Sequence, residues 1–289
     1  MTGLIWESER STLNAQRPSM HLLPGLVSIS FRGRTPAELI AATARAGLQG
    51  IEWGGDRHVP HGNLAVAREV AARTREAGLD VAAYGSYYRV GRDESQQVSF
   101  AQVLDTAAAL QAPLIRVWAG EQGSAETSPA GRQRIIAESR RIGRMARAAG
   151  LGVAFEFHRH TLTDTTGSAL DLLQATAAAG LRGYWQPSVG WSREEQLDAL
   201  CRLRPYLAHL HVYQWDADGR REPLAAGTAA WSDFLAEAAA APLPEGLLQR
   251  WALLEFVKDD SLDQFRQDAE TLTRMLGHAG GSRHGEGES

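Results

Sequence analysis

The chain has 289 residues, 44% of them hydrophobic and 22% charged, with a formal net charge of −4. Such a composition suits one large or two ordinary globular domains with a sizeable core. The mild acidity argues against a nucleic-acid or membrane footprint. No apolar stretch reaches the ~18 residues that span a bilayer, and a single cysteine, Cys201, excludes an intrachain disulfide framework and fits a reducing, cytoplasmic compartment.

Residues 1–21 carry acids and no basic leader followed by an apolar core, so they read as a disordered extension, not a signal peptide, with Met20 an alternative start. From Leu22 to Leu276 the chain alternates between short apolar runs and amphipathic helical patterns. The predicted strands are Leu26–Phe31, Gly50–Trp53, Asp80–Tyr84, Leu114–Trp118, Gly152–Phe157, Gly183–Gln186, Ala208–Tyr213 and Ala252–Phe256. Helix starts are marked by Thr35-Pro36, Ser128-Pro129 and Ser192 before Glu194 and Glu195. Ala-Gly-Leu stops recur at Ala46–Leu48, Ala77–Leu79, Ala149–Leu151 and Ala179–Leu181. Eight strand–helix steps without a composition break predict a single (β/α)8 barrel of parallel strands over residues 22–276. No Gly-x-Gly-x-x-Gly follows the first strand and no Gly-Lys-Ser/Thr occurs, which disfavours dinucleotide and P-loop chemistry. The Gly-rich tail from Gly277 to Ser289 reads as disordered.

In parallel α/β proteins the ligand site lies at the C-terminal ends of the strands. Four late strands end on polar side chains of metal-binding type: Glu156, Gln186, His211 and Glu255. Side-chain alternation turns Ala154, Glu156 and His158 to one face, with His209, His211 and Tyr213, and Leu253, Glu255 and Val257, as the matching sets. Buried carboxylates at such positions need compensation, by arginine or by a divalent cation. Convergence of two Glu, a His and an amide favours the cation. An oxygen-rich set with one imidazole favours Mn²⁺, with Mg²⁺, Co²⁺ or Zn²⁺ as alternatives, over a thiolate-rich structural zinc.

Other polar residues fall near the predicted mouth. Glu52, His58 and His61 follow strand two in a glycine-containing loop suited to lining a pocket. Arg116 is a candidate hydroxyl or phosphate clamp, and His158 and His160 flank Arg159 beside Glu156. Trp53, Trp118, Trp185, Trp191 and Trp215 lie at strand ends or in the following loops, placed either to wall a sugar site or to cap the barrel. Lys258, the only lysine, comes just after Glu255.

The stations Phe155-Glu-Phe157, His209-Leu-His211, Pro223-Leu-Ala-Ala-Gly-Thr-Ala-Ala-Trp231 and Leu254-Glu-Phe-Val257 resemble the xylose-isomerase-like superfamily, which includes sugar phosphate isomerases and epimerases, ketose 3-epimerases and inosose dehydratases. The resemblance implies metal ligation by Glu156, His211 and Glu255. It places an Asp, in an Asp-Pro-Gly-His context, where this chain has Gln186-Pro-Ser-Val189. The function expected is a divalent-metal-dependent sugar isomerase or epimerase, with Glu156 and Glu255 moving a proton through an enediolate. His158 is a third catalytic candidate, and Glu52, His58, His61, Arg116, Trp118, His160, Trp215 and Lys258 are substrate-binding candidates. The alternative is a lyase on the same barrel, a dehydratase or 3-keto-glycoside eliminase. A non-catalytic sugar-binding subunit ranks below both, and a multi-zinc nuclease of the endonuclease IV type is disfavoured by the acidic charge. The expected partner is a small sugar, with no nucleic acid or membrane; a homo-oligomer is compatible with the sequence.

Overall fold

The computed structural model describes residues 22–281; the expected N-terminal extension and most of the C-terminal tail lie outside them. Eight parallel strands close into a barrel: β1 (Leu22–Val27), β2 (Gly50–Gly54), β3 (Asp80–Arg89), β4 (Leu114–Trp118), β5 (Gly152–Phe155), β6 (Leu181–Trp185), β7 (Leu207–Val212) and β10 (Arg250–Leu254). They follow chain order around the ring, and β10 pairs with both β7 and β1. A short antiparallel hairpin, β8 (Gln214–Trp215) and β9 (Arg221–Glu222), interrupts the connection after β7. The outer helices are α1 (Pro36–Arg45), α2 (Leu64–Glu76), α3 (Phe100–Leu110), α4 (Pro129–Ala148), α5 (Thr166–Thr176), α6 (Arg193–Leu203), α7 (Thr228–Ala240) and α8 (Leu262–Gly281). No described helix is long and apolar enough to cross a membrane.

The helix starts form as their sequences dictate. Thr35 and Ser192 each make a reciprocal capping box, with Glu38 and Glu195, and Ser128 caps α4 through Gly131 N. Gly47, Gly78, Gly150 and Gly180 all take positive φ at their helix stops. The last helix runs past Leu276, where the sequence closes the domain, to Gly281.

Two strands differ from the sequence expectation by more than two residues at an end. β1 begins at Leu22 and stops at Val27, and Ser28–Phe31 is a 3₁₀ turn. Pro24-Gly25 looks like a turn signal, yet both residues pair with β10. Gly25 is needed there because a Cβ would stand 2.8 Å from Gly50 O and 2.7 Å from Leu253 Cδ2. β3 continues to Arg89 instead of ending at Tyr84, which carries its last residues over the mouth.

Most of the core lies between strands and helices, while a smaller apolar cluster including Leu23, Ala154, Ala208, Trp251 and Leu253 fills the barrel axis. Arg250, fully buried at the base, has no carboxylate partner among the described residues. Its guanidinium donates to Leu207 O, Ala238 O, Ala241 O and Pro242 O, tying the end of α7 to the start of β7. Arg250→Met removes every one of these donors while keeping the stem. It is expected to lower stability by about 4 kcal/mol, read as a lower denaturation midpoint at unchanged m.

Candidate metal centre and mouth cavity

Glu156, Gln186 and Glu255 each stand one residue beyond the end of β5, β6 and β10, and His211 is the penultimate residue of β7. Backbone bonds continue the ladder just far enough to hold them: Glu156 N donates to Val117 O and Glu255 N to Val212 O. All four side chains are buried. They converge on His211 Nδ1, which lies 2.9 Å from Gln186 Oε1, 3.2 Å from Glu255 Oε2 and 3.5 Å from Glu156 Oε1. Ligand atoms of Glu156, His211 and Glu255 all lie within 4.8 Å of one another. The Gln186 amide is oriented by its own donor: Nε2 bonds Phe157 O at 2.8 Å, which leaves Oε1 for the cluster.

A second layer sets the electrostatics. Arg116, buried in the middle of β4, donates through Nε to Glu52 Oε1 at 2.7 Å and through Nη1 to Glu156 Oε2. Trp118 Nε1 donates to the same Glu156 oxygen, and Tyr184 OH takes the other oxygen of Glu52 at 2.8 Å. Burial alone would favour a protonated Glu52, but Arg116 and His211 outweigh it and hold the carboxyl down at about 2. Glu156 is likewise held well below the usual carboxylate range, burial again being overcome by Arg116 and His211. Three buried carboxylates, Glu52, Glu156 and Glu255, thus face one buried guanidinium.

That imbalance tests the fit to a cation. Glu52 Oε1 lies 3.6 Å from His211 Nε2, on the far side of the ring from Nδ1. A proton on Nε2 leaves a lone pair on Nδ1 facing an amide oxygen and two carboxylates. Such a contact between acceptors is relieved by a proton on the ring or by a cation among them. Burial lowers the proton affinity of His211, yet Glu255, Glu156 and Glu52 raise it well above the ordinary range. Glu255 Oε2 is buried with no hydrogen-bond donor. Two carboxylates, one imidazole and one amide carbonyl form a donor set suited to a divalent cation, and Glu52 behind the ring is the outer carboxylate that such histidine ligands commonly have.

Above the cluster opens a cavity of about 260 Å³ lined by Glu156, Glu255, His158, Arg116 and Trp118. His158 stacks on Trp118 with ring centroids 4.7 Å apart. Its Nδ1 lies 2.6 Å from Arg159 O, an acceptor only, so Nδ1 carries a proton, which in the neutral ring leaves the lone pair on Nε2.

Most of the other substrate-binding candidates are placed elsewhere, and Arg116 reaches the cavity already engaged. Glu52 lies under the site, not on a pocket loop, and the guanidinium of Arg116 is committed to two carboxylates, not free as a clamp. His58 is buried between Ser28 Oγ and Arg34 O, and His61 is bonded to Tyr84 OH. His160 is exposed, Trp215 packs on Tyr213 and Phe256, and Lys258 pairs with Glu222 outside the cavity. Of the remaining tryptophans, Trp53 and Trp185 are fully buried and Trp191 packs on Phe157.

Arg32, Tyr87, Arg221 and Phe256 are among the lining residues that carry no signal recognised in the sequence. Arg32 pairs with Asp56 and Arg221 with Asp260, so both basic groups reach the rim already countered. Tyr87 and Phe256 adopt φ of 56° and 50°. Each such non-glycine residue costs on the order of 1–3 kcal/mol and persists only where its surroundings impose it.

The profile of the family described as xylose isomerase-like TIM barrel matches residues 40–275. The chain belongs to that family. Among relatives of this xylose isomerase-like barrel is a 3-dehydroshikimate dehydratase of Bacillus anthracis, 27% identical over 203 residues that cover 64% of this chain and 69% of that one. A Mycobacterium smegmatis xylose isomerase-like TIM barrel protein solved in complex with magnesium superposes with a TM-score of 0.69 at 16% identity, covering 91% of this chain and 99% of the other. A D-psicose 3-epimerase solved in the presence of D-fructose gives 0.66 at 15% identity, over 90% and 100% of the two chains. The last two likenesses speak for the fold. The matched proteins thus include a lyase and an epimerase.

Proposed function

We propose that the protein is a divalent-metal-dependent isomerase or epimerase of a small hydroxylated keto compound, with Mn²⁺ the ion expected at Glu156, Gln186, His211 and Glu255. The observation that carries this reading is the pair of proton-handling groups on two walls of one small cavity. His158 Nε2 and the Glu255 carboxylate follow strands three places apart in the eight-strand ring. A cation held by the cluster supplies polarisation of the substrate carbonyl, which acidifies the neighbouring C–H.

The residues divide the work unequally. Glu156 is pinned by Arg116 and Trp118 and has little affinity for a proton, so it serves as a fixed anion and ligand. His158 Nε2 is free to take the proton, and the stacking on Trp118 holds the ring in place. Glu255, when protonated, returns a proton to the opposite face of the same carbon. In the reverse direction the two exchange roles.

A second reading is dehydration. The imidazolium formed at His158 can pass its proton to a β-hydroxyl, so that the C–O bond breaks, water leaves and the electrons of the former C–H bond form the new double bond. It is favoured by the 27% identical relative named as a dehydratase and by a single histidine nitrogen that can serve as both base and acid.

Incubation of metal-loaded protein with keto sugars and cyclic hydroxy-ketones in D₂O tests both. Deuterium in recovered substrate and its epimer, without loss of water, is expected for the first reading. An ultraviolet-absorbing unsaturated product marks the second. Absence of exchange on every compound would sink both.

A further inference from the structure

The face of the barrel opposite the mouth holds a cavity of about 520 Å³, against about 260 Å³ above the candidate metal centre. It opens among α4, the turn into β6, the first residues of β5 and the loops that precede β7 and β10. In (β/α)8 barrels this face ordinarily serves stability, so charged groups there are expected to be paired. Two are not. Among the described residues neither Arg147 nor Arg182 has a carboxylate within 4.0 Å. Arg182 donates to the backbone oxygen of Glu245, and no bond of the Arg147 side chain is seen.

The backbone makes room for both guanidiniums. A Cβ at Gly152 would stand 2.7 Å from Arg182 Nη1, and one at Gly180 would stand 2.5 Å from Arg147 Nη2. Each head therefore lies against a glycine at the edge of the same cavity. Burial first, and then the nearby charge of Arg147, lower the proton affinity of Arg182; Glu245, at the rim beyond ion-pair distance, offsets only part of this. Tyr206, Pro205 and Pro244 supply apolar walls.

We infer that this basal cavity is an anion site that takes a phosphate group, either free or carried by a small phosphorylated metabolite. Two planar donor forks from different elements suit a compact dianion with several acceptor oxygens better than a lone carboxylate. The apolar walls leave space for an organic portion beyond the phosphate.

The test uses the full chain in thermal unfolding and calorimetry, titrated with inorganic phosphate or glycerol 3-phosphate at an ionic strength held constant with NaCl. Saturating phosphate is expected to raise Tm by about 5 °C. Arg147→Gln, at an exposed helix position, and Arg182→Gln should each weaken binding about tenfold. Arg32→Gln with Arg221→Gln, at the mouth, should leave binding intact. Tighter binding of glycerol 3-phosphate assigns the site to a phosphorylated metabolite, and equal binding assigns it to free phosphate. The inference is overturned if neither ligand acts beyond the NaCl control, if Arg147→Gln and Arg182→Gln leave the effect unchanged, or if the mouth variants remove it.

Discussion

Glu255→Gln is expected to reduce metal affinity by more than about 100-fold, since loss of even an outer-shell partner costs 10–100-fold. Turnover with saturating metal should still fall by about 10³-fold, the scale of a lost general acid or base. The substitution is isosteric, and the backbone bond from residue 255 to Val212 O does not depend on the side chain, so the fold should survive. The buried Glu255 Oε2, which has no donor of its own, becomes half of an amide that no longer compensates a cation. Elemental analysis after dialysis, together with rates at added Mn²⁺, separates the two effects. Unchanged metal content in Glu255→Gln would remove this residue from the ligand set. A fully restored rate with excess metal would remove it from proton transfer.

Arg116→Met is expected to have a large effect on stability, because it strands Glu52 and Glu156 without their shared guanidinium. Glu52 has its carboxyl lowered from 4.5 to about 2, a shift that corresponds to about 3 kcal/mol of pH-dependent stability. A depressed carboxylate contributes that stability above its unfolded value near 4.5 and loses it as pH falls through about 2. The native protein should therefore weaken on acidification below about pH 4.5. With methionine at 116 the sign reverses: burial now dominates, the buried carboxyls take up protons more readily than in the unfolded chain, and stability should rise from pH 7 towards pH 5. At neutral pH the loss should reach about 3–5 kcal/mol, the range for breaking a buried pair. Denaturant midpoints across this pH range measure it, and parallel pH profiles for the two proteins would contradict the pairing.

The barrel was legible because its signals are local and repeated. Leu114–Trp118 is bounded as its apolar run predicts, and Thr35-Pro36 and Ser192 start helices through caps written within four residues. The convergence of Glu156, Gln186, His211 and Glu255 was legible for a related reason: placing a side chain at a strand end needs only the period of two and the parallel topology. At the mouth, neighbours in sequence are a poor guide to neighbours in space. His58 follows a strand, yet Ser28 Oγ and Arg34 O, distant in sequence, absorb both of its ring nitrogens. Arg116 looks like a substrate clamp in the sequence because its partners, Glu52 and Glu156, come from other strands. Arg221 reaches the cavity from a two-residue strand of a hairpin, and Phe256 through a left-handed backbone that alternation does not describe.

Tyr87 and Phe256 make the mouth a poor target for consensus or energy-guided stabilisation. Glycine or asparagine at either position would relieve the left-handed backbone, and a screen that rewards heat resistance alone would collect those changes first. The same changes would strip aromatic surface from a small cavity. A lineage selected for turnover keeps such residues, and a lineage released from it drifts away from them, so these two side chains would be early markers of whether a descendant of this chain still handles its substrate.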